Sequence, residues 1–172
     1  MALVFFQFHV AMPLDMKRQG VSTHEYGLLV ALNGLLVVLL SPFATTLMLR
    51  LPRRSGLAVA AGLTGLGFGM FAFAGSIAVY AASITVLTLG EIAFAPLHPA
   101  VVAGLAPVRL RGTYQGAFQL SFSLAMCVAP IIGGAVLEQG RGTWLWAGCF
   151  GVASLAAGLY WLMPLSPAGQ SS

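Results

Sequence analysis

Long apolar segments separated by short polar loops constrain this chain more than any other feature. A helix needs about 20 apolar residues to cross the hydrocarbon core of a bilayer. Backbone N–H and C=O groups in lipid must be satisfied inside the segment, so each such segment is predicted to be an α-helix. Five segments have about the required length: 26–49, 56–74, 77–95, 113–137 and 144–163.

The first apolar run, residues 2–13, is too short to span a bilayer. It is either a re-entrant or interfacial piece, or the outer half of a helix that begins before Met1, and the second interpretation is favoured. The predicted fold is an all-α integral membrane protein, a six-helix bundle over residues 1–164 whose first helix is truncated. Residues 165–172 form a short polar tail, predicted to lie in the cytoplasm.

Composition excludes several other classes of protein. Charged residues make up 7% of the chain, against about 25% in soluble proteins, so a water-facing surface of this size could not be covered. The net charge of +4 does not indicate nucleic-acid binding, because the arginines lie in short loops between apolar segments. We expect no disulfide from Cys127 and Cys149 inside apolar runs, and no metal or cofactor site from three scattered histidines.

The loop charges predict an orientation. Five basic residues and no acid lie on one side of the predicted membrane: Arg50, Arg53, Arg54, Arg109 and Arg111. Three basic and three acidic residues lie on the other: Lys17, Arg18, Arg141, Asp15, Glu25 and Glu138. The positive-inside rule therefore places the arginine loops in the cytoplasm.

Glu91 is the charged residue inside a full predicted span, and a carboxylate at membrane depth is by default a functional candidate. Helical periodicity places Tyr80, Thr88 and Glu91 on one face, which should look into the bundle or a cavity, so Tyr80 is also a candidate cavity residue. Three interpretations remain open: an ion pair with Arg109 or Arg111 at an inner gate, proton coupling, or a neutral hydrogen-bonded carboxyl without a transport role. The position of Glu91 near the inner end of segment 77–95 favours the pair.

Further polar side chains interrupt the apolar segments. Gln115, Gln119 and Ser123 recur at a spacing of four and so share one helix face, which predicts either a cavity wall or interhelical hydrogen bonds. Asn33 lies in the middle of its segment, and Gln7 lies in the short first run; each is a candidate for the cavity or for helix packing. No catalytic motif is present, so no enzymatic activity is expected.

Several stretches together resemble the major facilitator superfamily of transporters, in particular bacterial drug:proton antiporters. Residues 19–34 resemble the loop before helix eight and its start, and residues 50–54 resemble the basic loop before helix nine. Residues 89–96 resemble the end of helix ten, 105–116 the next cytoplasmic loop and helix eleven, and 130–134 the later part of helix eleven. The sequences are QGVSTHEYGLLVALNG, RLPRR, LGEIAFAP, LAPVRLRGTYQG and PIIGG.

The resemblance implies that this chain corresponds to the C-terminal half, helices seven to twelve, in a bacterial inner membrane. In the family, helices seven, eight, ten and eleven border the central cavity, which supports Gln7, Asn33, Gln115 and Gln119 as cavity residues. Substrate binds between two halves, so the implied partners are lipid, a small molecule, protons, and an absent N-terminal half or a second copy. The implied function is proton-coupled efflux of drug-like or amphipathic compounds; a non-transporting fragment and a homodimeric half-transporter are alternatives.

Overall fold

The computed structural model describes residues 1–162, apart from the side chain of residue 105, and this part of the chain is helical without strands. The prediction of an all-α, six-helix fold is confirmed. The helices are α1 (Ala2–Arg18), α2 (Thr23–Arg50), α3 (Arg53–Phe71), α4 (Ile77–Leu105), α5 (Arg111–Glu138) and α6 (Gly142–Leu162), with a 3-10 turn at Val108–Leu110 before α5.

Helices α2, α5 and α6 match the predicted segments closely. Their starts lie two or three residues before the predicted ones, and α2 and α5 end one residue later than predicted. The start of α2 is fixed by a capping box, in which the Ser22 backbone N–H donates to the Glu25 carboxylate at 2.8 Å and the Glu25 N–H donates to Ser22 Oγ at 3.3 Å. Residue 163 and the predicted tail, 165–172, lie outside the described residues.

Helices α1 and α4 continue past the prolines at which their segments were predicted to end. Helix α1 runs through Pro13 to Arg18 instead of ending at residue 13, and α4 runs through Pro96 and Pro99 to residue 105 instead of ending at 95. A proline removes one backbone donor, but in membrane helices neighbouring groups satisfy the freed carbonyl, so the helix is not obliged to stop. As a result Glu91 is the middle residue of α4, fourteen residues from each end.

Of the described helices, four are long and apolar enough to cross a membrane: α2, α4, α5 with its preceding turn, and α6. Helix α3 was predicted as a fifth full span over 56–74. It lies at Arg53–Phe71, carries two arginines in its first turn, and is not among the four. Helix α3 packs against α4 and α6, and about half of its residues are buried. A helix that is largely covered by protein can be less hydrophobic than one that faces lipid.

Helix α3 packs against α4 on one side and α6 on the other, while α2 packs on α4 and α1 packs on α5. A side chain at Gly104 would meet the Arg53 guanidinium, so the end of α4 lies beside the start of α3. At the opposite end, the Arg18 guanidinium donates to the Leu137 carbonyl, joining the last turns of α1 and α5. Successive helices therefore run in opposite directions. The loops that carry the predicted cytoplasmic arginines lie at the same end of the bundle.

Small residues let α3 approach its neighbours closely. A Cβ on Gly67 would lie 2.7 Å from the Leu87 nitrogen, and one on Gly90 would lie 2.6 Å from the Thr64 nitrogen. On the α6 side, a Cβ on Gly65 would lie 3.0 Å from Ala153 Cβ. We call Gly65, Gly67 and Gly90 the glycine seam; it assigns the glycine-rich helix a packing role, as small residues have in other membrane bundles.

Candidate functional site

A hydrogen-bonded group of three polar side chains joins α2 to α4 at the middle of the bundle. The Asn33 amide nitrogen donates to Thr88 Oγ1 at 2.8 Å and to Glu91 Oε2 at 3.3 Å. The Thr88 hydroxyl donates to the Ile84 carbonyl at 2.7 Å and is fully buried. We call Asn33, Thr88 and Glu91 the central polar cluster.

Helix geometry explains how α4 presents the cluster. Residues three apart lie on the same face of a helix, so Thr88 and Glu91 both face α2. Glu91 is half-buried, and it lines a cavity of about 210 Å³ together with Thr64, Phe94, His98 and Phe122. The carboxylate therefore lies at membrane depth, with an amide on one side and a cavity on the other.

The sequence favoured an ion pair between Glu91 and Arg109 or Arg111, and the structure does not bring these residues together. Fourteen residues of helix, about 21 Å at 1.5 Å per residue, separate Glu91 from the end of α4. Arg109 and Arg111 lie beyond that end and are exposed. Over residues 1–162, the hydrogen-bond partner of the Glu91 carboxylate is Asn33.

Two other predicted cavity residues are buried and do not line the cavity beside Glu91. Tyr80 is 1% exposed, with its ring 5.8 Å from that of Phe71, and its hydroxyl has no partner among the described residues. It lines a small pocket of about 150 Å³ beside Glu25, not the cavity that Glu91 lines. Gln7 is 3% exposed and donates from Nε2 to the Ala129 carbonyl at 3.1 Å, where Gly133 leaves room for its side chain. Gln7 therefore joins α1 to α5, and it also lines a groove beside these helices.

Gln115, Gln119 and Ser123 lie on an exposed face of α5. The Ser123 hydroxyl donates to the Gln119 carbonyl at 3.2 Å, within the same helix. The predicted shared face is therefore present, but no other helix of the described chain covers it. The two amides remain available to a ligand, to water or to another protein surface.

The sequence analysis missed a buried carboxylate near the loop end of α1. Asp15 is 6% exposed, and its Oδ2 accepts from the Trp146 indole at 2.8 Å and from the Gln19 amide at 3.3 Å. This contact links α1 to α6 beneath the aromatic group of Phe68, Phe71 and Trp146. The residue was assigned to a loop because the helix was predicted to end at Pro13.

His98 was also missed as a site residue. It lies two turns after Glu91 on α4 and lines the same cavity. Three phenylalanine rings surround its imidazole, with ring centroids at 4.6 Å for Phe94, 5.4 Å for Phe118 and 6.0 Å for Phe122. The seven-residue spacing from Glu91 was the sequence signal that could have identified it.

A larger groove of about 720 Å³ lies between α1, α5 and α6. Its walls are mainly apolar, including Val4, Ile132 and Val152, and Arg141 and Trp144 lie on its rim. It holds no cluster of ionisable groups and lies away from the central polar cluster. The smaller cavity, by contrast, is lined by two ionisable side chains, Glu91 and His98.

Comparison with known proteins agrees with this architecture. The family model of the Major Facilitator Superfamily matches residues 1–172. A Planococcus maritimus protein named as a Na(+), Li(+), K(+)/H(+) antiporter is 30% identical over 107 residues, which cover 62% of this chain and 25% of that protein. An uncharacterised MFS-type transporter of Bacillus subtilis (strain 168), YttB, is 23% identical over 139 residues, 80% of this chain and 35% of that protein.

The matches to these relatives span about a quarter to a third of their length. The family match nevertheless extends along the whole chain, and both relatives are named as transporters rather than enzymes. The helical fold and the four helices apolar enough to span a membrane agree with it. The chain is a multi-pass membrane protein and belongs to the major facilitator superfamily.

Proposed function

We propose that this chain forms the C-terminal six-helix half of a proton-coupled secondary transporter of a bacterial inner membrane. The proposed cargo is a small, drug-like or amphipathic compound that is exported in exchange for protons. Transport occurs by alternating access, in which this bundle rocks against a second bundle around a site at mid-membrane depth. The observation that carries the proposal is the Glu91 carboxylate, held in the middle of α4 by the Asn33 amide.

The surroundings of Glu91 support a role in proton coupling. A charged carboxylate away from water is costly unless it is paired, neutralised or solvated. In the described part of the chain Glu91 receives a hydrogen bond from a neutral amide, and no arginine or lysine pairs with it. Proton binding removes the charge, and the adjoining cavity gives the proton a route to and from the carboxylate.

The uncovered faces of α2 and α5 support a second bundle as partner. Only Leu29 and Met48 are buried among the residues of α2, and α5 exposes Gln115 and Gln119. Apolar side chains can face lipid, but two amides in one stripe need polar partners at membrane depth. We propose that these amides line the substrate route, with an N-terminal half or a second copy of this chain forming the opposite wall.

Alkali-cation exchange is a second candidate function. The Planococcus maritimus relative is named as an antiporter of sodium, lithium and potassium ions for protons. The central polar cluster of this chain is rich in oxygen atoms, which are the ligands preferred by hard cations. In this form of the proposal the exported solute is the ion itself.

Reconstitution tests the proposal. This chain, and a version extended upstream to include any in-frame preceding helices, are purified and placed in proteoliposomes with an imposed pH gradient. Uptake of a fluorescent amphipathic amine and of ²²Na⁺ is followed together with the internal pH. We expect proton-linked flux from whichever form contains two bundles.

The outcomes separate the alternatives. Flux by the extended form alone identifies this chain as one half, and flux by this chain together with a dimer in membrane cross-linking identifies a homodimeric half-transporter. If neither form moves either solute in response to the pH gradient, the proposed function is wrong and a non-transporting membrane protein is the better description.

A further inference from the structure

The groove between α1, α5 and α6 has apolar walls and a rim that carries a positive charge. Its walls include Val4, Ile132 and Val152, and Arg141 and Trp144 lie on its rim. A membrane lipid has the same division, because its phosphate stays at the membrane surface while its acyl chains lie in the hydrocarbon core. We infer that the groove binds one anionic phospholipid, with an acyl chain between the helices and the phosphate at the Arg141 guanidinium. This lipid site goes beyond the proposed transport and is independent of which solute the protein moves.

The backbone turn after α5 places Arg141 on the rim. The Arg141 N–H donates to the Val136 carbonyl at 3.3 Å, and the Gly140 N–H donates to the Leu137 carbonyl at 2.8 Å. These are the two hydrogen bonds of a Schellman motif, which closes a helix C-terminus. Gly140 has a φ of +70°, the left-handed conformation that this motif needs and that glycine adopts without strain. The motif therefore fixes the backbone of Arg141 directly beyond the end of α5.

The charge on the rim selects an anionic headgroup. The Arg141 side chain is exposed, and within residues 1–162 no carboxylate forms an ion pair with it. Of the acids at this end of the bundle, Asp15 accepts from Trp146 and Gln19, and Glu138 does not line the groove. A guanidinium presents a planar fork of donors that fits phosphate oxygens. A zwitterionic headgroup would bring a second positive charge beside the arginine, whereas an anionic headgroup would not.

The length of the groove fits an acyl chain in one leaflet. Trp144 lies in the first turn of α6 and is exposed, and exposed tryptophans favour the depth at which headgroups meet acyl chains. From there the α6 wall runs through Gly148 to Val152, which is eight residues of helix or about 12 Å. Half of the hydrocarbon core is about 15 Å thick. A chain in the groove is therefore followed by the protein through most of one leaflet.

The walls below the rim suit a hydrocarbon chain. Gln7 lines the groove, but its amide nitrogen donates to the Ala129 carbonyl and its side-chain oxygen lies against Gly133, so the amide is turned towards α5. Ile132 and Val152 line the groove and are exposed, so a lipid can enter sideways from the bilayer. The volume of about 720 Å³ lies within the usual range of ligand sites, about 300–1,000 Å³.

Quenching of Trp144 fluorescence by brominated lipids tests the site directly. The full chain is placed in phosphatidylcholine vesicles to which phosphatidylglycerol or phosphatidylcholine, brominated near the headgroup end of one acyl chain, is added in steps. A Trp161→Phe background removes an exposed indole at the far end of α6, and Trp146 is only 1% exposed, so Trp144 dominates the quenched signal. We expect brominated phosphatidylglycerol to quench at a lower mole fraction than brominated phosphatidylcholine.

Two variants, each with a matched control, assign the preference to the rim and to the groove. Arg141→Gln should weaken the apparent affinity for phosphatidylglycerol about fivefold, the usual effect of one basic residue at a membrane surface. Gly148→Leu fills the groove, since an added Cβ there meets no atom within 4 Å, and should abolish the preference. The controls are Arg109→Gln, exposed at the other end of the bundle, and Gly158→Leu, an exposed α6 position with equal free space outside the groove; both should behave as wild type.

Equal quenching by the two lipids would show ordinary boundary lipid and overturn the inference. Circular dichroism and size-exclusion profiles establish folding, and a folded Arg141→Gln or Gly148→Leu protein that keeps the wild-type preference would also overturn it, so either variant decides alone. A loss as large in Arg109→Gln would show general surface charge in place of a site. Displacement of the lipid by soluble glycerol phosphate would show an anion site that does not use the groove. If neither lipid quenches and membrane cross-linking traps a dimer, a second copy covers the groove and the lipid site is wrong.

Discussion

Two adjacent residues of α4 face different neighbours and show two different kinds of contact. Gly90 faces α3, where a Cβ would lie 2.6 Å from the Thr64 backbone nitrogen. Glu91, the next residue, faces α2 and accepts a hydrogen bond from Asn33 at 3.3 Å. Successive residues point about 100° apart around a helix, so α4 is held by the glycine seam on one side and presents the central polar cluster on the other.

The difference indicates which helix contacts are rigid and which can change. The glycine seam contains backbones that approach each other closely, and such a contact cannot slide without clashes because packed interiors deform little. The α2 contact depends on one amide, whose hydrogen bonds can be exchanged for a proton, an ion or water. We infer that α3, α4 and α6 form the fixed frame of this bundle and that conformational changes are easier on the α2 side.

The largest expected effect comes from breaking the glycine seam. Gly67→Ala places a Cβ 2.7 Å from the Leu87 backbone nitrogen and Cβ, so α3 and α4 must separate, at a cost of about 1–3 kcal/mol for overpacking. Gly62→Ala, on the same helix with no atom within 4 Å of the added Cβ, is the matched control. Thermal unfolding of both variants in detergent measures the difference; equal midpoints would show that the seam is not close-packed.

An intermediate effect is expected from the polar contact between α1 and α6. Trp146→Phe keeps a ring beside Phe68 and Phe71 but removes the indole donor to Asp15. We expect a loss of about 1 kcal/mol in unfolding free energy, the usual scale for one hydrogen bond. Trp144→Phe, at a ring that is 75% exposed, should change little.

A double-mutant cycle sharpens this second prediction. Asp15→Asn combined with Trp146→Phe should cost less than the sum of the single changes, because the two side chains share one hydrogen bond. Strict additivity would show that Asp15 and Trp146 do not interact in the folded protein.

The smallest effect on stability is expected on the exposed face of α5. Gln115→Ala and Gln119→Ala remove amides that no other helix of the described chain covers, so unfolding free energy should change by less than about 0.5 kcal/mol. In a transport-competent form, the same changes should alter the apparent affinity for substrate if the amides line its route. Ser121→Ala, on another part of the exposed helix surface, is the control; a loss of stability from either glutamine change would instead indicate a packing role.

The sequence was sufficient to predict the helices and several polar residues, because apolar length and isolated polar side chains are local properties. Asn33 and Glu91 were each identified, but 58 residues separate them, and only helix packing shows that they meet. The predicted pair with Arg109 or Arg111 is not formed among the described residues, because α4 continues to residue 105 instead of ending at 95 and so separates Glu91 from the loop. In the same way, the predicted end of the first segment at residue 13 concealed the buried position of Asp15 in α1, and periodicity alone could not show that Tyr80 packs on Phe71.

The pH dependence of transport in proteoliposomes tests the central proposal, that Glu91 in the central polar cluster couples transport to protons. Wild type and Glu91→Gln are compared in the transport-competent form, with solute counterflow at equal pH measured beside transport driven by a pH gradient. We predict that the variant retains counterflow, loses gradient-driven transport and shows no dependence on pH. Gradient-driven rates and a pH profile equal to those of wild type would contradict the account.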